Sequence, residues 1–305
     1  MGVRTRFAPS PTGDLHLGSA WTALASWVVA RREPGGAVVL RVEDIDPPRV
    51  VAGAEARIEE DLRWLGLGWD EGPFRQSERS ARYVEAIDRL AALGLVYPCD
   101  CSRAEIARVA SAPHPGEELV YPGTCRALDP GRPMKRAPAL RVRVPDEVVE
   151  YDDAVAGHVT QHLGPDVGDF VLQRGDGVFA YQLAVVVDDA AMGITDVVRG
   201  ADLIGSTPRQ IWLARALGAH VPRFAHVPLV VAPDGARLEK RSGVKSVRDL
   251  RAAGVPPERV VGELGCGLGL AETPEETTPE QLARTWAGRI VPWRRDAWRV
   301  PPSLA

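Results

Sequence analysis

The chain has 305 residues, of which 45% are hydrophobic, a balance typical of a folded globular protein and not of a disordered one. Its formal charge of -4 excludes a polycation that binds nucleic acid indiscriminately, so any contact with RNA is expected to be local. No apolar run reaches the roughly 18 residues that a membrane helix needs, and the start of the chain lacks the apolar core of a secretory signal. We therefore expect a cytoplasmic protein.

The N-terminal third predicts helices that alternate with strands. Residues 38–42 (VVLRV) predict a buried strand, and the third helix is expected to end at Gly94. This alternation is typical of a parallel sheet with helices packed on it. The apolar positions of the three helices recur at helical spacing: Trp21, Leu24 and Val28, then Ile58, Leu62 and Leu65, then Tyr83, Ile87 and Leu90.

The loop before the first helix, residues 8–19 (APSPTGDLHLGS), is a candidate phosphate site. Its prolines stiffen the loop, its glycines allow close backbone approach, and His16 stands where the helix begins, a position that attracts phosphate. A histidine there can donate hydrogen bonds to phosphate oxygens whose charge grows as a carboxylate attacks the α-phosphate. Taken alone, His16 is more often a helix cap or a loop histidine.

From Cys99 to about residue 165 the pattern loosens into Pro- and Gly-rich loops, which we interpret as an insertion containing a strand near residues 140–144. Cys99, Cys101 and Cys125 cluster there, and clustered cysteines in a reducing compartment favour metal binding over disulfides. Three thiolates suit a tetrahedral zinc site, for which His114 is the ordinary fourth ligand and Tyr121 the unusual one. Cys266 lies apart, and we expect it to be buried packing.

The α/β pattern returns with residues 185–187 (VVV), a helix that begins with Thr207 and Pro208 and ends at Gly218, and a buried strand over residues 226–232. Residues 237–243 (RLEKRSG) form a basic loop whose cations can close over a triphosphate. In isolation, such a loop is more often a solvated basic turn. Beyond Ser246 the chain is expected to be helical, and the tail tryptophans are expected to anchor it to the body.

Together the two loops resemble the signatures of the glutamyl-tRNA synthetase family, an APSPTG…H-[IL]-G start and a lysine-rich loop near the end of the nucleotide-binding fold. Residues 40–46 (LRVEDID), 181–189 (YQLAVVVDD) and 193–202 (GITDVVRGAD) are also similar to that family. The resemblance implies an α/β fold of class I synthetases, with a Rossmann-type doubly wound parallel sheet, that activates glutamate with ATP and magnesium.

The resemblance also implies the roles of individual residues. Arg6 would grip one carboxylate of L-glutamate and Arg199 the other, and Glu43 would hold its ammonium group. His16 and Lys240 would be catalytic. The remaining glutamate contacts are assigned to Ala8, Ser10 and Tyr181, and the ATP contacts to Pro9, His16, Gly18, Ser19 and Lys240.

The chain departs from the family in its basic loop, where Arg237 replaces the first signature lysine and Glu239 replaces a serine. The C-x-C…Y-x3-C pattern resembles the inserted domain of one branch of the family, which favours Tyr121 over His114 as the fourth ligand. Such a closed zinc site is expected to be structural.

We predict four segments: 1–95, the first half of the Rossmann domain; 96–165, the zinc-binding insertion; 166–243, the second half; and 244–305, a helical C-terminal segment without an anticodon-binding domain. The length, the cysteine pattern and Val185 resemble the branch that attaches glutamate to queuosine in tRNA(Asp), and we expect a monomer. The alternatives are a minimal glutamyl-tRNA synthetase that charges a tRNA 3′ end, another nucleotidyltransferase with the same histidine loop, and a non-catalytic glutamate- or RNA-binding paralogue.

Overall fold

The computed structural model describes residues 2–109, 120–236 and 245–304. Its first part is a three-stranded parallel sheet, in the order β1-β2-β3, whose strands alternate with helices. The apolar residues that predicted the strand at 38–42 and the first three helices lie in these elements, except Leu65, which is the C-cap residue of α2. The elements are β1 (Arg4–Phe7), α1 (Leu17–Arg31), β2 (Ala37–Val42), α2 (Ala54–Trp64), β3 (Glu71–Arg75) and α3 (Ser80–Ala92).

The middle of the chain adds two antiparallel units. Strands β4, β5 and β8 form a small antiparallel sheet, and β6 and β7 form a hairpin. The predicted strand near 140–144 is β5. The elements are β4 (Val96–Cys99), α4 (Arg103–Val109), β5 (Ala139–Val142), β6 (Val148–Asp153), β7 (Gly157–His162), α5 (Leu163–Asp166) and β8 (Val171–Gln173).

The parallel pattern then resumes with α6 (Tyr181–Ala191), β9 (Asp196–Gly200), α7 (Thr207–Ala216) and β10 (Arg223–Val227). Strand β10 lies between β9 and β6 and is parallel to both. The Thr195 backbone amide donates to the Arg4 carbonyl at 2.9 Å, so β9 lies beside β1. In the sheet, β1 thus has β2 on one side and β9, followed by β10, on the other. Such a reversal of strand order is where open α/β sheets bind their ligands.

Two details of this half differ from the prediction. Residues 185–187 lie in helix α6, and the predicted strand at 226–232 is divided between β10 and a short strand, β11 (Val230–Val231). Helix α7 starts at Thr207 with Pro208 in its first turn, as predicted, although Ser206 is the cap residue. Gly218 follows the helix with φ of +66°, a left-handed conformation that favours glycine.

The C-terminal segment packs against α1. Trp298 stacks on Trp21 with ring centroids 4.9 Å apart, and Trp286 Nε1 donates to the Leu270 carbonyl at 2.9 Å. The tail tryptophans are therefore anchors, as predicted. None of the helices in the described ranges is long and apolar enough to cross a bilayer. The segment comprises α8 (Val247–Ala252), α9 (Pro257–Leu268), α10 (Pro279–Thr285) and β12 (Trp298–Arg299).

Candidate active site and metal centre

A cavity of about 860 Å³ opens at the carboxyl ends of β1, β2 and β9, at the point where the strand order reverses. Gly18 lies beside this cavity and does not line it, and Lys240 lies outside the described residues. The structure brings together nine of the residues predicted for glutamate and ATP: Arg6, Ala8, Pro9, Ser10, His16, Ser19, Glu43, Tyr181 and Arg199.

His16 caps the N-terminus of α1 and is exposed to the cavity. Its Nδ1 accepts a hydrogen bond from the Ser19 backbone amide at 3.1 Å, and its Nε2 lies 2.9 Å from the Ser19 hydroxyl. A Cβ atom on Gly18 would lie 3.1 Å from His16 Nδ1, so glycine leaves room for the ring. The N-terminus of α1, a histidine and a hydroxyl thus face the same space, which suits an anionic ligand.

The residues just after the basic loop return to this cavity. Ser246 pairs with His16 as an isolated β-bridge, and the Val247 amide donates to the Leu15 carbonyl at 2.9 Å. Lys245, Ser246 and Asp249 line the cavity. Residues 237–244, with Arg237, Glu239 and Lys240, lie outside the described residues, so the predicted role of Lys240 stays a prediction.

A buried ionic cluster, which we call the cavity floor, lies beneath the lining residues Arg6 and Glu43. Arg41 is fully buried and donates to Asp189 Oδ1 at 2.5 Å, and Arg6 Nε lies 3.3 Å from the same oxygen. Glu43 lies 3.4 Å from Arg41 Nη2. Burial tends to raise the pKa of Asp189, but Arg41 and Arg6 hold that pKa below its usual value. Burial dominates for Glu43, whose pKa is raised although Arg41 and Arg6 oppose the shift.

Arg199 is the exception in this cluster, because among the described residues no acidic side chain forms an ion pair with it. Its guanidinium donates to the Thr207 hydroxyl at 2.7 Å, to His226 Nε2 at 3.1 Å and towards the Tyr181 hydroxyl at 3.5 Å. Burial, aided by the like charge of Arg6, lowers its pKa. A buried cation that lines a cavity without a carboxylate partner favours binding of an anion there.

Residues 2–284 match the family of class I tRNA synthetases (E and Q), catalytic domain. The chain is 50% identical over 312 residues to a glutamyl-Q tRNA(Asp) synthetase of Symbiobacterium thermophilum, an alignment that covers 97% of this chain and 95% of that protein. It is also 50% identical over 296 residues to the protein of that name from Deinococcus radiodurans, with 94% and 97% covered. The chain belongs to the glutamyl-Q tRNA(Asp) synthetase family.

Solved structures of class I synthetases share the fold. A glutamate tRNA ligase of Elizabethkingia meningosepticum, crystallised with its amino acid, superposes with a TM-score of 0.83 at 26% identity. The superposition covers 99% of this chain and 67% of that one. Family membership and fold agree with the parallel sheet and with the position of the cavity, and they confirm the predicted fold class and enzyme class.

The predicted metal ligands form a second site, at the end of β4. The Sγ atoms of Cys99, Cys101 and Cys125 all lie within 4.8 Å of one another, and Cys101 and Cys125 are 3.5 Å apart. The Tyr121 hydroxyl lies 3.3 Å from Cys99 Sγ and 3.8 Å from Cys101 Sγ. Ligands of a tetrahedral zinc–thiolate site lie about 3.8 Å apart, so these residues fit a metal ion. His114 lies outside the described residues.

Charged side chains surround the cysteine cluster. Arg132 Nη2 lies 3.4 Å from Cys125 Sγ, and the Arg141 guanidinium lies 3.8 Å from the centre of the Tyr121 ring. Burial, together with the hydrogen bond to the neighbouring Cys125 thiol, raises the pKa of Cys101 to about 12. Closely spaced sulfur ligands are stabilised as thiolates when a cation binds between them. Cys266, expected to be buried, is partly exposed.

Sequence reasoning missed Asp153, Asp189 and His226, three buried polar residues behind the cavity. Asp189 belongs to the motif at residues 181–189, which also contains Tyr181, a predicted glutamate contact, and this shared motif was a signal that Asp189 contributes to the site. His226 and Asp153 carried no such signal, because their partners are 27 and 73 residues away in the chain. Their proximity arises only when β6, β9 and β10 pair.

Proposed function

We propose that this chain uses ATP to activate L-glutamate as glutamyl adenylate, without tRNA, and transfers the glutamate to queuosine in the anticodon of tRNA(Asp). The observation that carries the proposal is Arg199, which has no acidic partner among the described residues, in a cavity that is also lined by Arg6, Glu43 and the His16 loop. Two guanidinium groups and one carboxylate complement the two carboxylates and one ammonium group of glutamate.

In the proposed complex Arg6 and Arg199 bind the two carboxylates, and Glu43 binds the ammonium group. Tyr181 lies beside Arg199 and supplies a hydroxyl, and Ala8 and Ser10 form the wall next to Arg6. Arg41 and Asp189 do not line the cavity, but they hold Arg6 and Glu43 in place through buried ion pairs. The pocket thus presents fixed charges that complement a small amino acid with two carboxylates and one ammonium group.

ATP is proposed to bind next to glutamate, with its phosphates at the N-terminus of α1 and with contacts from Pro9, Gly18 and Ser19. A glutamate carboxylate oxygen then attacks the α-phosphorus, and pyrophosphate leaves. His16 would stabilise the growing negative charge on the phosphate oxygens. Lys240 is assigned to the departing pyrophosphate from the sequence resemblance, with magnesium as the accompanying ion.

The acceptor is proposed from the relatives, whose name specifies tRNA(Asp), at 50% identity over nearly the whole chain. A hydroxyl of the queuosine cyclopentenediol would attack the activated carbonyl, and AMP would leave. Charging of a tRNA 3′ end is the alternative within the same fold. A cytoplasmic, monomeric enzyme stays our expectation.

For the second site we propose zinc, held by Cys99, Cys101, Cys125 and Tyr121. The ion would supply a cross-link between β4 and the loop before β5. Its residues are distinct from those of the 860 Å³ cavity, which supports a structural and not a catalytic role.

Two measurements test the proposal. Glutamate-dependent exchange of labelled pyrophosphate into ATP tests activation, and its absence would contradict the enzymatic proposal. Transfer of labelled glutamate to tRNA(Asp) with and without queuosine tests the acceptor. Periodate oxidation after the transfer adds a distinction, because a glutamyl ester at the 3′-terminal diol and one at the queuosine diol protect different sites from cleavage. A tRNA whose 3′ diol is removed enzymatically but whose queuosine is intact should still accept glutamate; failure to do so would favour 3′ charging.

A further inference from the structure

A buried chain of hydrogen bonds leads from the inserted hairpin to the cavity. Asp153 Oδ2 lies 2.6 Å from His226 Nδ1, and His226 Nε2 lies 3.1 Å from Arg199 Nε. The side chains of Asp153 and His226 are both 0% exposed. The chain therefore joins a carboxylate at the end of β6 to the guanidinium that faces the proposed substrate.

The geometry determines where the histidine proton lies. An arginine Nε–H can only donate, so His226 Nε2 must accept, and the single proton of a neutral ring must be on Nδ1. That proton is donated to Asp153. The Thr207 hydroxyl fits the same arrangement, because it accepts from Arg199 Nη2 at 2.7 Å and can donate its one proton to His226 Nε2 at 3.0 Å or to the Leu203 carbonyl at 3.3 Å. Burial lowers the pKa of His226, which keeps the ring neutral.

Asp153 is itself held in place. Its Oδ1 accepts from the amides of Val155 and Ala156, each at 2.9 Å, and from the His226 amide at 3.1 Å. Its Oδ2 is thereby aimed at the imidazole. Since the group that contacts Arg199 is a neutral ring and not a carboxylate, the position of the guanidinium is fixed without its charge being cancelled.

Building on the glutamate activation proposed above, we propose that Asp153 and His226 are positioning residues that set the histidine tautomer and thereby aim Arg199 at a carboxylate of glutamate. Asp153 acts only through His226, and His226 acts only through Arg199. The pair fixes the recognition of glutamate and leaves that of ATP unaffected, because neither residue lines the cavity.

The decisive variant is Asp153→Asn, which keeps the shape and the backbone contacts at Oδ1. Its amide group would donate to Nδ1, which moves the ring proton to Nε2, where it opposes the Arg199 Nε–H. In the pyrophosphate exchange assay we expect the KM for glutamate to rise about tenfold or more, with the KM for ATP changed less than about twofold. Asp152→Asn is the matched control, because Asp152 is next in the chain and forms an exposed pair with His158.

A double-mutant cycle tests the order of action. The His226→Gln side chain can accept from Arg199 Nε through its amide oxygen, and it has no tautomer to set. In this background we expect Asp153→Asn to leave the glutamate KM unchanged. An equal effect of Asp153→Asn in both backgrounds would overturn the proposal. So would an unchanged glutamate KM in Asp153→Asn itself, or a joint rise of both KM values with a fall in melting temperature.

The tautomer is measured independently of activity by ¹⁵N NMR of histidine-labelled protein. We expect the His226 proton on Nδ1 in the wild type and on Nε2 in Asp153→Asn, and the opposite assignment in either protein would overturn the proposal. If the wild type shows no pyrophosphate exchange, the glutamate activation is refuted by that result. The NMR assignment then still decides whether Asp153 sets the tautomer.

Discussion

The cavity at the sheet edge and the cysteine cluster are assembled from very different lengths of chain. The cysteine cluster takes its residues from one short stretch of chain, Cys99 to Cys125, whereas the cavity joins Arg6 on β1 to Arg199 on β9. The cysteine cluster is therefore visible in the spacing of residues along the chain. The cavity exists only because β1 and β9 become neighbours in the sheet.

The two sites also differ in the charge that they favour. The cavity contains a buried guanidinium without an acidic partner in the described ranges, whereas the cysteine cluster brings three sulfur atoms together. One arrangement favours an anion and the other a cation. If this comparison is correct, disrupting the cavity floor should affect folding, disrupting Arg199 should affect activity alone, and disrupting the cysteines should affect metal content.

The largest effect is expected from Asp189→Ala. Asp189 pairs with Arg6 and Arg41, both buried, and its removal leaves two guanidinium groups without this partner. We expect a loss of roughly 3–5 kcal/mol in the free energy of unfolding, measured by urea denaturation. Asp176→Ala is the control, because its pair with Arg174 is exposed and should contribute less than about 1 kcal/mol. Equal losses in the two variants would contradict the importance of the buried floor.

Arg199→Ala is expected to separate activity from stability. We predict that kcat/KM for glutamate in pyrophosphate exchange falls about a hundredfold or more, because a charge-assisted contact with the substrate is lost. The melting temperature should stay the same or rise, because the variant no longer buries a cation without an acidic partner. Arg223→Ala, which removes an exposed arginine on β10, should leave exchange unchanged. A large fall in the melting temperature of Arg199→Ala would show that the residue is structural.

Cys125→Ser should act on the other site. We expect it to lose bound zinc, measured by atomic absorption, and to melt several degrees lower, since a structural metal contributes to folding. Pyrophosphate exchange at a temperature where the variant is folded should change less than about threefold. The control is Cys266→Ser, which lies outside the cluster. Full metal content in Cys125→Ser would remove Cys125 from the ligand set.

The smallest effect concerns Glu43, whose pKa is raised by burial above the ordinary value of 4.5. At a pH between the pKa of Glu43 in the unfolded chain and its raised pKa in the folded chain, the folded state binds more protons than the unfolded state. The contribution of Glu43 to the free energy of unfolding therefore falls as the pH rises through this window. The Glu43→Gln variant has no carboxyl group at this position and lacks this pH dependence. We expect its free energy of unfolding, relative to the wild type, to increase as the pH is raised above 4.5. Parallel pH profiles for the two proteins would show that the burial of Glu43 has no energetic effect.

How much of the fold and of the candidate site was predictable depends on how far apart the contacting residues lie in the chain. Helix α1 and strand β2 follow from local apolar spacing, and the cysteine cluster follows from a short motif. The run at 185–187 did not reveal helix α6, because three consecutive apolar residues are compatible with a buried strand or a buried helix. Its neighbours Leu183 and Ala184 are buried too, which removes the amphipathic signal.

The candidate site shows the same limit. Arg6, Glu43 and Arg199 were predicted because they lie inside motifs that resemble a family, and not because spacing places them together. His226 was missed because its two partners, Asp153 and Arg199, come from different strands. Hydrogen bonding between buried polar groups is a property of the folded sheet, and no local pattern encodes it. The boundaries of the four predicted segments stay predictions.

The packing around Gly267 has a practical consequence for anyone who dissects or fuses this protein. A Cβ atom there would lie 2.6 Å from the ring atoms of Trp21 and Trp298, so the last helices and the tail are fitted directly onto the helix that begins at His16. Leu304 is itself 0% exposed. A minimal catalytic fragment must therefore keep residues up to at least 304, and a reporter is better attached through a linker beyond them than substituted for them.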